Sequence, residues 1–267
     1  MLVAFGLAGR DRGQRARCFP RCTICPHDYT FFAYSECNAM AIGMSAIYLA
    51  RHTETAWNLT GQLTGATDLP LSESGERSAQ RLGARLKGLK FAKILSSPLQ
   101  RARQTCELSG FWSVTEIDPD LVEWNYGRYE GRREEDIRAE RPGWSLLRDG
   151  CPEGETPEQV CARADRVISR MCTISGNVLL FTSGHFIQVL AARWLGVGLN
   201  TDTEFSQLSA ASLCCLSYRN DRSRSLNRFW NEIGQVDLEP ELSLSRRRRI
   251  NGILRAHEAD AGESAIR

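Results

Sequence analysis

The chain has little histidine, almost no net charge and no long apolar run. Four histidines occur in 267 residues, at positions 27, 52, 185 and 257. No apolar stretch approaches the roughly 18–20 residues that span a bilayer, so a membrane is not an expected partner. The net charge of +2 gives no general attraction for nucleic acid. The run from Arg246 to Arg249 reads as a solvated charge cluster. The apolar start, Met1 to Leu7, is too short for a signal-peptide core and is followed by arginines, so a cytosolic location is expected. There is no internal repeat. A Gly-x-Ser-x-Gly elbow is missing around Ser183, because position 181 is Phe, which disfavours a serine hydrolase.

What is present suffices for one well-packed domain. Hydrophobic residues make up 42% and charged residues 25%, which is ordinary for a globular chain. Residues 1–43 mix Arg, Cys, Pro and Phe without periodicity and read as an unstructured extension, with Met44 standing directly before the first strand as an alternative start. Cys18, Cys22, Cys25 and His27 resemble a zinc set in composition, but the two ligand pairs of a structural site are missing; no metal or other cofactor is expected. The scattered cysteines, such as Cys106, Cys161 and Cys214, read as small buried hydrophobes. The domain is expected over 44–234, followed by a polar basic tail over 235–267.

Residues 46–50, 91–95, 177–181, 211–218 and 227–230 read as strands. Between them lie amphipathic helices. Ser72 caps one, with Glu73 and Glu76 in its first turn and Ala79, Leu82, Leu86 and Leu89 at helical spacing. Ser97-Pro98 is expected to open a second. Thr156-Pro157-Glu158-Gln159 forms a capping box for a third, and 186–197 form a fourth that ends near Gly196. Alternating strands and helices predict a three-layer α/β/α sandwich around a mostly parallel sheet.

Three strands end in chemically capable residues: Arg51-His52, then Ser96-Ser97 with Arg101 just beyond, then Ser183-Gly184-His185. In an open parallel sheet all carboxyl ends lie on one edge, so these residues are expected to meet. Arginines grip the oxygens of a phosphomonoester, and a helix N-terminus adds partial positive charge. A neutral imidazole can attack phosphorus, and a second, protonated one can stabilise the equatorial oxygens. The leaving oxygen then needs an acid. Glu123, following Leu121-Val122, is the candidate, with a hydrophobic wall expected to raise its pKa.

Arg51-His52-Thr53-Glu54-Thr55-Ala56-Trp57-Asn58 resembles the nucleophile motif of the histidine phosphatase superfamily, the phosphoglycerate mutase-like group. Thr64-Gly65, Asp68 to Ser72, and Gly75 continue the match. Ser96 to Thr105 resembles the second basic motif, Glu123 to Gly131 the acid-bearing loop, and Ser183-Gly184-His185 the second histidine. The resemblance covers about residues 45–231. It implies that His52 accepts the phosphoryl group, that Arg51, Arg101 and His185 complete the pocket, and that Glu123 is the proton donor. It further implies that Asn58, Thr64, Gly65, Tyr126 and Ser183 hold phosphate or substrate, without a metal.

Three departures favour a phosphatase over a mutase: Thr53 where the family has glycine, Phe186 after the second histidine, and a short stretch from Arg141 to Thr156 in place of a substrate-gripping insertion. The expected activity is hydrolysis of small phosphomonoesters, nearest to the sugar-phosphate phosphatase members that include the sedoheptulose-bisphosphatase type. A phosphoglycerate mutase and a non-catalytic phospho-ligand-binding domain are the alternatives. The expected partner is a small phosphorylated metabolite, with homo-oligomerisation left open.

Overall fold

The computed structural model describes residues 44–199, 208–218 and 225–233. The cysteine cluster of the extension, the basic tail and most of the 200–210 loop lie outside the described residues. Six strands form one sheet in the order β3-β2-β4-β1-β5-β6. They are β1 (Met44–Arg51), β2 (Lys93–Ser96), β3 (Glu116–Ile117), β4 (Gly176–Thr182), β5 (Leu213–Tyr218) and β6 (Ser225–Glu232). The pairs β3-β2, β2-β4 and β4-β1 are parallel; β5 runs antiparallel to both β1 and β6.

Side-chain alternation along the strands builds the three layers. Ile47, Leu49, Val178, Leu180, Cys214 and Leu216 face one core. There they meet Val160, Ala164, Val167 and Met171 of helix α6 (Pro157–Cys172) and the apolar side of α7 (Gly184–Leu195). Ala46, Tyr48, Ala50, Leu179, Phe181, Leu213 and Cys215 face the other, against Leu82 and Leu86 of α2 (Glu73–Leu86) and Cys106 of α3 (Gln100–Leu108). The central strands are therefore continuously apolar because both of their faces are covered. Cys106, Cys172, Cys214 and Cys215 are buried in this core, as small hydrophobes.

Short helices α1 (Ala56–Thr60), α4 (Glu134–Glu140) and α5 (Leu146–Asp149) decorate the carboxyl edge. Their few turns carry too little periodicity to be read from sequence. The edge strand β3 is two exposed residues long and gives no apolar signal either.

Two capping expectations hold and one does not. Ser72 Oγ accepts from Gly75 N at 3.0 Å, and Thr156 forms the reciprocal box with Gln159. Helix α3, however, starts at Gln100 after Leu99, with no cap from its own segment. Ser97 Oγ instead accepts from Leu99 N at 3.3 Å, closing a local turn, and Asp68 Oδ1 accepts from Gln100 N at 2.6 Å. A carboxylate from a distant loop does the capping, which Ser97-Pro98 could not reveal. Helix α7 begins at Gly184, two residues earlier than expected, so His185 lies in its first turn.

Parallel register aligns the functional edge. Arg51 pairs with Thr182 and Ser96 with Phe181. His52 N donates to Thr182 O at 2.9 Å, and Ser97 N to Phe181 O at 2.9 Å. The loop after β1 is clamped by α2: Ser72 N donates to Glu54 O and Ser72 Oγ to Glu54 Oε1 at 2.7 Å. A methyl group at Gly75 would stand 2.2 Å from Glu54 O. Alanine at this helical position gains about 1 kcal/mol of helix propensity. The clash with a backbone oxygen outweighs it, and Gly75→Ala is expected to lose a net of about 1–3 kcal/mol, read as a lower urea midpoint at unchanged m.

Candidate active site

His52 is 3% exposed and its Nδ1 lies 2.8 Å from Thr53 O. A carbonyl only accepts, so Nδ1 carries the hydrogen and Nε2 presents the lone pair. Burial, and then the guanidinium groups of Arg101 and Arg51, push its pKa well below the ordinary histidine value. The ring is therefore held neutral. Thr53, the first departure from the family pattern, is completely buried, and its N donates to Thr105 Oγ1 at 3.0 Å. Thr105 in turn donates to Arg101 O at 2.7 Å, so the threonine ties the loop after β1 to α3.

Arg101 is fully buried. Its Nη1 donates to Thr67 O at 2.9 Å, and its Nη2 to Thr64 O at 3.0 Å and Gly65 O at 2.9 Å. Arg51 donates from Nη1 to Leu208 O. Burial lowers the pKa of each, and each cation depresses the titration of its imidazole neighbour. Arg51 Nε, Arg101 Nε and Ser183 Oγ are buried without a hydrogen-bond partner. A buried donor of this kind costs about 1–3 kcal/mol when it has no acceptor, so these groups have hydrogen-bonding capacity to spare.

Glu123 is 6% exposed. Its Oε1 accepts from Trp124 N and Phe186 N, each at 2.9 Å, and its Oε2 from His185 N at 3.1 Å. The expected hydrophobic wall is thus replaced by backbone donors, two of them at the N-terminus of α7. His185 Nδ1 lies 2.6 Å from Tyr126 Oη, and its Nε2 lies 3.5 Å from Glu134 Oε1. Burial, with Glu123 nearby, holds the Tyr126 phenol well above its usual pKa, so it keeps its hydrogen.

The structure links the residues expected to meet. Gly184, beside His185, packs so closely on Arg51 that an added methyl group would lie 3.2 Å from Arg51 Nε. A methyl group at Gly65, whose carbonyl holds Arg101, would lie 2.9 Å from the Tyr126 ring. The secondary candidates are held by contacts within the protein. Thr64 Oγ1 donates to Gln62 O at 3.2 Å, and Gly65 N donates to Glu130 Oε1 at 2.8 Å. Both therefore act as scaffold for Arg101. Tyr126, 1% exposed, contacts His185 and is closed to solvent. Asn58 Oδ1 accepts from Thr55 N at 3.0 Å, which caps α1 and leaves its amide hydrogens uncommitted.

Arg163 and Glu134 were not singled out by sequence, and Glu130 only as part of the Glu123 to Gly131 motif. Arg163 Nη1 donates to Asp120 O at 2.9 Å and Val122 O at 2.6 Å, and its Nη2 to Glu123 O at 3.3 Å. It forks onto Glu155 at 2.8–3.0 Å and stacks 4.4 Å from the Phe186 ring. Its signal was a charged residue beside Ala164 on the apolar face of α6, where 5% exposure demands partners. Glu130 Oε1 also accepts from Thr67 N at 3.1 Å, so it shapes the loop whose carbonyls grip Arg101.

Two arginines, two imidazoles and a carboxylate thus lie toward the carboxyl edge of a mostly parallel α/β sheet. The description "Histidine phosphatase superfamily (branch 1)" matches residues 47–231, and the chain belongs to that family. An acid phosphatase of Mycobacterium tuberculosis is 33% identical over 180 residues, 66% of this chain and 88% of its own. Sedoheptulose 1,7-bisphosphatase of Saccharomyces cerevisiae is 34% identical over 189 residues, 58% of this chain and 69% of its own. The solved structure of the open reading frame Rv3214 of M. tuberculosis superposes with a TM-score of 0.64 at 30% identity, covering 70% of this chain and 97% of that one. The protein is accordingly an enzyme of the phosphoric monoester hydrolase class. No helix among the described residues is long and apolar enough to cross a membrane.

Two outcomes are expected. Arg163→Lys cannot reproduce the fork, leaves carbonyls unpaired and should lose about 2–3 kcal/mol in urea unfolding; kcat should fall with the displaced Glu123 more than KM rises. His52 titrates lower folded than its unfolded value of about 6.5, so between those two points the unfolded chain binds the extra proton. Stability therefore drops as pH falls below about 6.5, by up to about 1.4 kcal/mol per pH unit from this residue. His52→Gln should flatten that part of the slope in urea midpoints measured from pH 7 to pH 5.

Proposed function

We propose that the protein is a metal-independent phosphatase of small phosphomonoesters, sugar phosphates or bisphosphates among them, working through a phosphohistidine. The observation that carries this reading is the tautomer of His52: the Thr53 carbonyl holds the hydrogen on Nδ1, so Nε2 is the free nucleophile. Attack by Nε2 forms the N–P bond as the ester P–O bond breaks. Arg51 and Arg101 supply their uncommitted N–H donors to the phosphoryl oxygens, and His185 Nε2 supplies another. The leaving oxygen takes a proton from Glu123 Oε2, the oxygen that accepts only one backbone donor. In the second step Glu123 removes a proton from water, water attacks phosphorus, the N–P bond breaks and inorganic phosphate leaves.

The substrate class rests on the relatives, an acid phosphatase and a sugar bisphosphatase, together with the short 141–156 stretch. A mutase would retain the phosphoryl group on histidine and exclude water. The non-catalytic alternative would bind phosphorylated ligands without turnover.

Radiolabelled substrate, quenched in alkali to preserve phosphohistidine, should leave label on His52. His52→Ala should lose the label and reduce kcat by about a thousandfold or more while retaining the cooperative unfolding transition. Label on another side chain, or an active His52→Ala variant, overturns the reading. With 3-phosphoglycerate, release of free phosphate supports the phosphatase and formation of 2-phosphoglycerate supports the mutase.

A further inference from the structure

Glu134 lies outside every residue that the motifs assign. It is the first residue of α4, and buried Ile137 anchors that helix to the core. His185 has two ring nitrogens. Nδ1 is engaged by Tyr126 Oη at 2.6 Å, and a phenol that keeps its hydrogen donates it there, which leaves the ring hydrogen on Nε2. Nε2 is thus the one nitrogen of His185 open to an anion, and it stands 3.5 Å from Glu134 Oε1.

Burial grades across the site. Arg101 is completely buried and His52 is 3% exposed, whereas the His185 and Glu134 side chains are 21% and 29% exposed. The cations lie deep and the carboxylate lies shallow. Glu134 therefore stands on the solvent side of His185, where the organic part of a phosphomonoester seated on His52 would extend. The other oxygen of Glu134, Oε2, accepts from Arg138 Nη2 at 2.8 Å. Arg138 is 57% exposed, so solvent screens that pair while Oε1 keeps its orientation. The hydrogen bond to His185 keeps the Glu134 carboxyl below its usual range, which makes it an anion at neutral pH.

We propose that Glu134 is a specificity residue: once the phosphate takes His185 Nε2, its carboxylate accepts a hydroxyl of a neutral polyol leaving group and repels a leaving group that carries its own anion near the ester. This rests on the phosphatase reading of the same site and narrows its substrates to monoesters with neutral, hydroxylated carbon skeletons around the scissile bond.

Glycerol 3-phosphate and 3-phosphoglycerate test it, because they differ only by a hydroxymethyl group against a carboxylate. The wild-type protein is expected to favour glycerol 3-phosphate in kcat/KM by about tenfold, an ordinary consequence of one partly screened like-charge contact. Glu134→Gln keeps a hydrogen-bond acceptor and removes the charge. It should raise kcat/KM for 3-phosphoglycerate relative to that for glycerol 3-phosphate by about tenfold. An unchanged ratio in Glu134→Gln, including one where both values fall together, overturns the proposal. So does a wild-type protein that hydrolyses p-nitrophenyl phosphate but shows no preference between the pair; the phosphatase reading then stands without it. Failure to hydrolyse any of the three esters and to form phosphohistidine brings down both.

Discussion

The buried guanidinium of Arg101 is the constraint around which the site is organised. An arginine cannot shed its charge, so an interior position demands acceptors. The 64–67 loop answers with three carbonyls. That loop is itself bent into place by Glu130, which accepts from the N–H groups of Gly65 and Thr67. Gly65 must be glycine for this approach, since a methyl group there would lie 2.5 Å from Trp124 O. One buried cation thereby fixes two loops that are far apart in sequence, and the nucleophile loop joins them through Thr53, Thr105 and the Arg101 carbonyl.

A second organising point is the N-terminus of α7. Its first amides would be unsatisfied in a buried helix end. Glu123 accepts from two of them, and in doing so locks the acid-bearing loop to the segment that carries His185. Arg163 holds the same loop from below through three carbonyls. The relative placement of acid and second imidazole is therefore a by-product of helix capping, and depends on α6 and α7 packing side by side in the larger core.

This explains what sequence could and could not disclose. β1, β4 and the capped starts of α2 and α6 were legible because their signals are local: short continuous apolar runs, Ser72, Thr156 with Gln159. His52, Arg101 and His185 were legible because strand ends point to one edge and because the motifs are dense. The start of α3 was not, since its cap, Asp68, comes from another loop. Glu134 and Arg163 were invisible as functional residues for the same reason, and Glu130 showed only as a member of a motif. Each is an ordinary surface-type charge in sequence and acquires meaning only from backbone groups or a ring 40 to 70 positions away. Leu121 and Val122 disclosed that Glu123 is buried, but not that its carboxyl turns toward the amides of α7.

The way charge is partitioned here bears on how an anion site can stay open inside a protein. Arginines and carboxylates close together ordinarily pair, and a substrate would then have to break an ion pair to bind. In this site the opposing charges are kept apart by giving each a backbone partner. Arg51 and Arg101 donate to carbonyls, and Glu123 and Glu130 accept from amides. Among the described residues neither arginine is in an ion pair with a carboxylate. Peptide dipoles satisfy the hydrogen-bonding demand of a buried ion while leaving its net charge in place. The guanidinium field is thus preorganised and unneutralised; burial first, and this field second, keep His52 in the neutral form. Glu134 is the exception that marks the boundary of this arrangement: it alone of the three carboxylates pairs with side chains, His185 on one oxygen and Arg138 on the other, and it does so where the site opens toward solvent.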